Sequence, residues 1–335
     1  MVGEIAQLAR RERIVLFVGA GVNGGAGLTW KELLKQLLLR GITGTVEPVP
    51  SADKRTEILA EIQKEHDTYA QAGIAAILLG ENRFTPELRN LIYSRLTQGD
   101  GLIRLEAMCA AAAKQPDVRM TELEGDETQQ KNFGFLVSLA RLCLRSEIGA
   151  VVTYNFDTLL ELAMQMIADA AGAKRARQPL SISRQTELRG GQAGVDWLPV
   201  YHVHGCLPPA GTGTHQLNIP VVLRQEDFAR SMQDPYAWEE SSQLHFLRSH
   251  PGLFFGLSMS DWNILRLLHS AGRDSRPRRL HCVGASPDPL QHELKRRLLA
   301  GLGVTYHAAV GKGDKVYADV RGFADALYLE LEGKS

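Results

Sequence analysis

The sequence predicts an α/β fold: a doubly wound, mostly parallel sheet that carries a helical insertion. Three observations predict it. An apolar run at 14–18 ends directly in glycines. Short apolar runs then recur at 150–154, 198–203, 253–257, 280–283 and 304–306. Helical sequence separates most of them, and strands that alternate with helices need right-handed crossovers, which give a parallel sheet covered on both faces.

Taken in order, residues 1–40 read as a short leading helix, strand 14–18, a glycine loop and a capped helix. Four of the five strand residues are β-branched or aromatic, which suits a buried strand. The loop Gly19-Ala20-Gly21-Val22-Asn23-Gly24 has the G-x-G-x-x-G spacing of a dinucleotide-phosphate turn. Residues without a Cβ let the chain turn tightly, approach a pyrophosphate and offer it N–H donors. Thr29-Trp30-Lys31-Glu32 has the form of a capping box, and Leu33, Leu34, Leu37 and Leu38 share one helical stripe. This strand, loop and helix make the predicted sheet Rossmann-like.

Residues 41–50 read as a connection rich in Gly, Thr, Val and Pro. The stretch 52–115 is rich in helix formers and shows no strand, so it predicts several helices with breaks near Gly80 and Pro86. A polar loop at 117–130 completes an insertion spanning 52–130, inside a single domain covering 1–335. Helix 131–147, strand 150–154 and helix 157–171 follow, then a polar loop at 172–196 and strand 198–203 ending in His204-Gly205. After a loop at 208–213 come a short strand at 220–223 and helical sequence to about His250. The remainder reads as strand 253–257, helix 261–271, strand 280–283, helix 288–300, strand 304–306 and helix 316–332.

Composition narrows the function. Hydrophobic residues make up 44% and charged residues 23% of 335, ordinary for a soluble globular chain. Lys+Arg and Asp+Glu are both 38, so no net field draws nucleic acid or an anionic membrane. The run Arg273, Arg276, Arg278 and Arg279 reads as a solvated turn. Cys109, Cys143, Cys206 and Cys282 never form C-x-x-C, which argues against a zinc ribbon or a disulfide scaffold. Neither a secretory signal nor a transmembrane run is visible, so the expected location is the cytoplasm.

Parallel sheets bind ligands at the carboxyl ends of their strands. The residues there are Gly19-Ala20-Gly21, Asn155-Phe156-Asp157, His204-Gly205, Ser258 with Ser260 and Asp261, and Gly284 with Ser286. All are expected to converge on one crevice. A dehydrogenase would need an acidic residue closing a second strand roughly 20 residues past the loop. Glu47 sits on no recognisable strand, so a dinucleotide is retained as ligand while hydride transfer is set aside.

Four pieces in register carry a family resemblance: Gly19-Ala20-Gly21-Val22-Asn23 with Ala26-Gly27-Leu28, then Thr153-Tyr154-Asn155-Phe156-Asp157, His204-Gly205 and Gly256-Leu257-Ser258. The chain resembles the sirtuin family over roughly residues 10–330, and more closely its bacterial sirtuin-like branch. The resemblance implies that NAD is bound as a substrate. Gly19, Ala20 and Gly21 would lie against its pyrophosphate, and Asn155 and Asp157 around the nicotinamide and its ribose. His204 would be the base beside the ribose hydroxyls, and Ser258 would touch phosphate or ribose. The expected catalytic set is His204, Asn155 and Asp157. The expected nucleotide contacts are Gly19, Ala20, Gly21, Asn23, Thr153, Gly256, Ser258, Asp261 and Gly284.

The departures from the family pattern matter too. Zinc-bearing sirtuins place two C-x-x-C pairs after the histidine motif, where this chain has only Cys206. The usual Ser after Gly-Ala-Gly is Asn23, and the Pro-Asp-Phe-Arg following the loop is replaced by Thr29-Trp30-Lys31-Glu32. No zinc is therefore expected, and the reduced form resembles NAD-consuming effectors of bacterial antiviral systems. The expected activity is NAD glycohydrolysis; the alternatives are an NAD-dependent deacylase or ADP-ribosyltransferase, and a non-enzymatic module sensing NAD or ADP-ribose. Restraint of a toxic hydrolase would come from homo-oligomers or a separately encoded helicase-type ATPase or Argonaute-like partner, docking on the insertion.

The chemistry follows from the groups. Cleavage of the nicotinamide–ribose bond passes through an oxocarbenium-like state, which a carboxylate or amide stabilises. A neutral imidazole with a pKa near ~6.5 suits proton transfer at neutral pH. Other readings stay open at this point. Asn155 and Asp157 fit a helix cap, and His204 fits a hydrogen-bonded turn. His202 and His204 share a strand face but lack a third metal ligand, and Cys206 has no activating neighbour in sequence. Trp30, Trp197 and Trp262 read as packing residues.

Overall fold

The first strand, β1 (Ile14–Val18), becomes the middle of a seven-stranded sheet. Its partners are β2 (Ile148–Thr153), β3 (Gln178–Ile182), β4 (Trp197–His202), β5 (Gly252–Phe255), β6 (Leu280–Ser286) and β7 (Val304–Val310), in the order β3-β4-β2-β1-β5-β6-β7. Every pairing is parallel. This computed structural model describes residues 1–23, 27–45, 48–120, 133–172, 177–183, 195–210, 221–233, 237–272, 279–286, 288–310 and 314–333. Gly24, Ala26, Glu47, most of the 117–130 stretch, Arg273, Arg276 and Arg278 lie outside them.

Alternation along β1 explains the double winding. Ile14, Leu16 and Val18 join one buried cluster, whereas Val15 and Phe17 join another on the opposite face. Phe17 stacks on Phe254 of β5 with ring centroids 4.5 Å apart. The chain leaves β1 toward β2 and leaves β5 toward β6, in opposite directions along the sheet. A crevice opens where neighbouring strands diverge in this way, here between the tips of β1 and β5.

The predicted insertion is helical where it is described: α3 (Ala52–Glu65), α4 (Thr68–Leu79), α5 (Glu81–Ile92), α6 (Ser94–Thr97) and α7 (Gly101–Lys114) follow α1 (Val2–Glu12) and α2 (Trp30–Thr45). Leu59, Ala72, Leu79, Leu88 and Leu105 sit in the same buried cluster as Leu16 of β1. Gly80 breaks the chain between α4 and α5 at φ 76°. Pro86 does not break it, because Phe84, Leu88 and Leu91 bury one face of α5 around it. The expected connection at 41–50 also starts late. α2 runs on to Thr45, with Ile42 buried and Gly41 lying so close to Leu78 that a Cβ would come within 2.8 Å of its side chain.

Beyond the insertion come α8 (Gly134–Cys143), α9 (Leu159–Ala170), α10 (Gln225–Gln233), α11 (Trp238–Ser249), α12 (Trp262–Ala271), α13 (Pro289–Gly301) and α14 (Asp314–Glu332). Two strand assignments need correction. Residues 178–182, read as loop, form β3, whose Pro179 and polar residues are tolerated because it is the outermost strand. Residues 221–223, read as strand, are irregular: Val222 N–H donates to His204 O at 2.9 Å and Leu223 N–H to Asp227 Oδ2 at 3.2 Å. β6 and β7 are also longer than expected. They pair up to Ser286 and Val310, which draws Gly284 and Ser286 into the ladder.

Candidate active site

The crevice is a cavity of about 270 Å³ lined from five directions. From β1 come Gly19, Ala20 and Asn23; from β2, Tyr154, Asn155, Phe156 and Asp157; from β4, His204; from β5, Gly256, Leu257, Ser258 and Asp261. The fifth wall is Tyr69 on α4, with Ile92 on α5 and Phe228 on α10. Thus the structure brings together His204, Asn155, Asp157, Gly19, Ala20, Asn23, Gly256, Ser258 and Asp261. Gly21, Thr153 and Gly284 of the expected set are not among the lining residues.

Backbone packing explains the glycines. Past β1 the chain makes a 3₁₀ turn, Ala20–Asn23, that presses on the loop after β5. A Cβ on Gly21 would stand 2.9 Å from the Gly256 carbonyl, and one on Gly19 would stand 2.7 Å from it. Gly256, at φ 65°, faces Val22 N in return. The N–H groups of Gly19 and Gly21 donate to the carbonyls of Phe255 (2.9 Å) and Gly256 (3.0 Å). These two donors therefore tie the loops together and are not directed at a phosphate. Among the described residues that line the cavity there is no Arg or Lys.

Asn23 is the hinge of the arrangement. Its Nδ2 donates to Asp157 Oδ2 at 2.7 Å, joining the β1 loop to the β2 tip. Asp157 Oδ1 accepts from Leu159 N–H at 3.1 Å, so this carboxylate also caps α9. Burial pushes the Asp157 carboxyl up to about 6, opposed by its hydrogen bonds from Leu159 and Asn23. The side-chain oxygens of Asn23 and Asn155 are buried without a hydrogen-bond partner. Two orphaned acceptors on one cavity are what a polar ligand's hydroxyl or amide donors would satisfy.

Thr153 acts from behind. Its Oγ1 accepts the Asn155 N–H at 3.1 Å, and His202 Nδ1 lies 3.4 Å from the Asn155 carbonyl, so the backbone that presents Asn155 is held on both sides. His202 is fully buried with Nε2 2.5 Å from Glu161 Oε1, and Ser181 Oγ donates to the same oxygen at 2.9 Å. Burial would lower the His202 pKa, but Glu161 and Cys206 hold it well above the usual value. The expected face-sharing of His202 and His204 fails because β4 ends at His202 and the chain turns through Gly205 at φ 87°.

His204 has the opposite surroundings. Its ring meets Tyr154 edge-on at 5.2 Å, Phe228 at 5.5 Å and Phe156 at 6.5 Å. Burial among these rings lowers its pKa to about 4, against smaller upward pulls from Asp261 and the Tyr154 backbone. The imidazole is thus neutral at physiological pH and a weaker base than the unperturbed value implies.

Ser258 is exposed and shares a 2.8 Å hydrogen bond with Ser260. Between them Met259 is buried at φ 55°, a strained backbone for a residue with a side chain, and one that fixes how this loop meets the cleft. Asp261 caps α12 through Asn263 N–H at 2.9 Å and accepts from Tyr69 Oη at 2.9 Å. Tyr69 meets Phe228 edge-on at 4.6 Å. Tyr93, between α5 and α6, accepts Thr158 N–H at 2.9 Å and donates to Leu207 O at 2.8 Å, clamping the β2 and β4 loops. Sequence reading missed Tyr69, Tyr93, Glu161 and Phe228, because their distance in the chain leaves no local motif. Trp30 lines the cleft against Phe156 at 5.8 Å, while Trp262 is 68% exposed and packs on no core.

All four cysteines are buried and free. Among the described residues no group of three or more His, Cys, Asp or Glu is placed to hold a metal ion. Among them, too, no helix is long and apolar enough to cross a membrane.

A parallel, doubly wound sheet with polar strand tips around one cavity defines a Rossmann-like α/β protein. Residues 149–307 match the family model described as a SIR2-like domain. That span runs from β2 into β7 and contains Asn155, Asp157, His204, Ser258 and Asp261, whereas β1 and its glycine loop precede it. Over that region the chain is similar to SIR2-like domains. No curated protein matches the chain.

Proposed function

We propose that this protein hydrolyses NAD⁺ to nicotinamide and ADP-ribose. The observation that carries the reading is one cavity shared by a neutral imidazole, His204, the unpartnered amide oxygen of Asn155 and the carboxylate of Asp157. Loss of nicotinamide leaves an oxocarbenium-like ribose. Asp157, ionised above pH of about 6, and the Asn155 dipole stabilise that charge. Neutral His204 takes a proton from a ribose hydroxyl or from water, a role that contributes roughly 10²–10⁴-fold. Asn23 fixes Asp157, and the β1 loop lies beside them for the pyrophosphate.

The physiological reading, which rests on the resemblance to reduced sirtuin-like effectors, is antiphage defence by depletion of the cofactor. Such a toxic activity needs restraint, which we assign to self-assembly or a separately encoded partner; a lone monomer fully active without any trigger would contradict this. The activity is tested by incubating purified protein with NAD⁺ and quantifying nicotinamide and ADP-ribose, with and without an acetylated peptide. Release without peptide is expected. Release only with peptide would make the protein a deacylase or transferase, and binding without release would make it a sensor.

A further inference from the structure

Beside His204 lies a second, smaller chamber of about 30 Å³. Its walls include Val203, Glu239, Glu240, Gln243 and Arg266, and it shares His204, Val222 and Phe228 with the large cavity. His204, Val222 and Phe228 thus border both spaces. Two polar atoms of the chamber's own residues are buried and lack partners: Gln243 Oε1, an acceptor, and Arg266 Nε, a donor. Their other groups are already engaged. Gln243 Nε2 donates to the Glu239 carbonyl at 2.8 Å, and the Arg266 terminal nitrogen is paired with Glu240. Gln243 is 4% exposed, so bulk solvent does not satisfy it.

A chamber of this size, with an orphaned donor and an orphaned acceptor among its wall residues, matches one or two water molecules. We propose that the chamber seats the water that attacks the ribose: Arg266 Nε donates to its oxygen, Gln243 Oε1 accepts a hydrogen bond from one O–H, and the other O–H is left for His204. The inference rests on the glycohydrolase reading and adds the source and orientation of its second reactant. In the reaction the C1′–N bond breaks and its electron pair leaves on nicotinamide. The water oxygen forms the new C1′–O bond, and its proton passes to the His204 imidazole and then to solvent. Gln243 and Arg266 are positioning residues in this scheme, since they touch the water and not the nucleotide.

A pyridine base needs no water to replace nicotinamide, and this separates the water seat from the rest of the site. Wild type and Gln243→Leu are incubated with NAD⁺ and 3-acetylpyridine, and ADP-ribose is measured against the exchanged dinucleotide. Loss of one hydrogen bond to the water is expected to raise the exchange-to-hydrolysis ratio about tenfold, with a melting curve close to wild type. A ratio unchanged in Gln243→Leu, with both products falling together, would overturn the proposal while leaving the hydrolase reading intact. Wild type that releases no nicotinamide from NAD⁺ would remove that reading itself. A high-resolution crystal structure gives a readout independent of turnover: ordered water bridging Arg266 Nε and Gln243 Oε1 supports the seat, and a chamber closed by side chains contradicts it.

Discussion

His202 and His204 are separated by one residue, yet they belong to two regions of the molecule with opposite electrostatics. Beneath the strand tips, His202 is locked to Glu161, which Ser181 also bonds, and Glu161 and Cys206 hold its pKa well above the usual value. In the cleft above, His204 is walled by Tyr154, Phe156 and Phe228 and is held neutral. The lesson is that protonation follows the partner and not the residue type. The lower region supplies a rigid, ionic floor that fixes the Asn155 backbone; the upper supplies a proton acceptor that is free at neutral pH.

The comparison is broken most directly at the cleft. His204→Ala is expected to lower kcat/KM for nicotinamide release by roughly 10²–10⁴-fold while leaving the melting temperature near wild type. Equal activity in this variant would end the assigned role. Next in size, Glu161→Ala strips the floor of its carboxylate and leaves a buried imidazolium unpaired. Chemical denaturation is expected to show a loss of about 3 kcal/mol, and a change well below 1 kcal/mol (on the order of a surface pair) would show that the two regions are not so different.

A smaller effect sharpens the comparison by pH. Asp157 takes up a proton as pH falls through about 6, so kcat/KM should fall on that acid limb, and Asp157→Asn should remove the limb while lowering the plateau. Stability responds with the other sign. A carboxyl whose folded pKa lies above its unfolded value favours the fold at acid pH, and that contribution is lost as pH rises through about 6. His204, neutral down to about 4, should give no inflection between those values. The smallest change is Tyr69→Phe, which removes the hydroxyl donated to Asp261. A cost of about 1 kcal/mol in stability is expected, with a raised KM and little change in kcat; an unaltered KM would detach α4 from the site.

Much of this was legible in the residues themselves. The run Ile14–Val18 stopping at glycine predicted the central strand, and the polar residues at strand ends predicted which tips meet. Local periodicity and the rule for parallel sheets are enough for that. β3 was not legible, because an edge strand carrying Pro179 and Ser181 lacks the apolar run that marks a buried one. Gly284 was misplaced for a related reason: strand ends depend on pairing with a neighbour, and β7 carries β6 on to Ser286. Nor did any motif announce Tyr69 or Glu161. Each reads as an ordinary helix residue until the chain folds and sets it 2.9 Å from Asp261 or 2.5 Å from His202.

The pKa of His204 was the sharpest misreading. An isolated histidine implies an acceptor matched to neutral pH, but three aromatic rings, two from the β2 tip and one from α10, crowd out much of its solvent. Position in the chain told where the imidazole would be, and only packing told how basic it is.

The central claim is that NAD⁺ lies across the strand tips with its nicotinamide ribose against His204. A crystal structure of His204→Ala grown with NAD⁺ tests it most directly. The account predicts intact dinucleotide, with pyrophosphate along the Gly19–Asn23 loop and the nicotinamide ribose between Asn155 and the emptied position 204. Dinucleotide bound elsewhere, or bound in the cleft with that ribose turned away from Asn155, would contradict it.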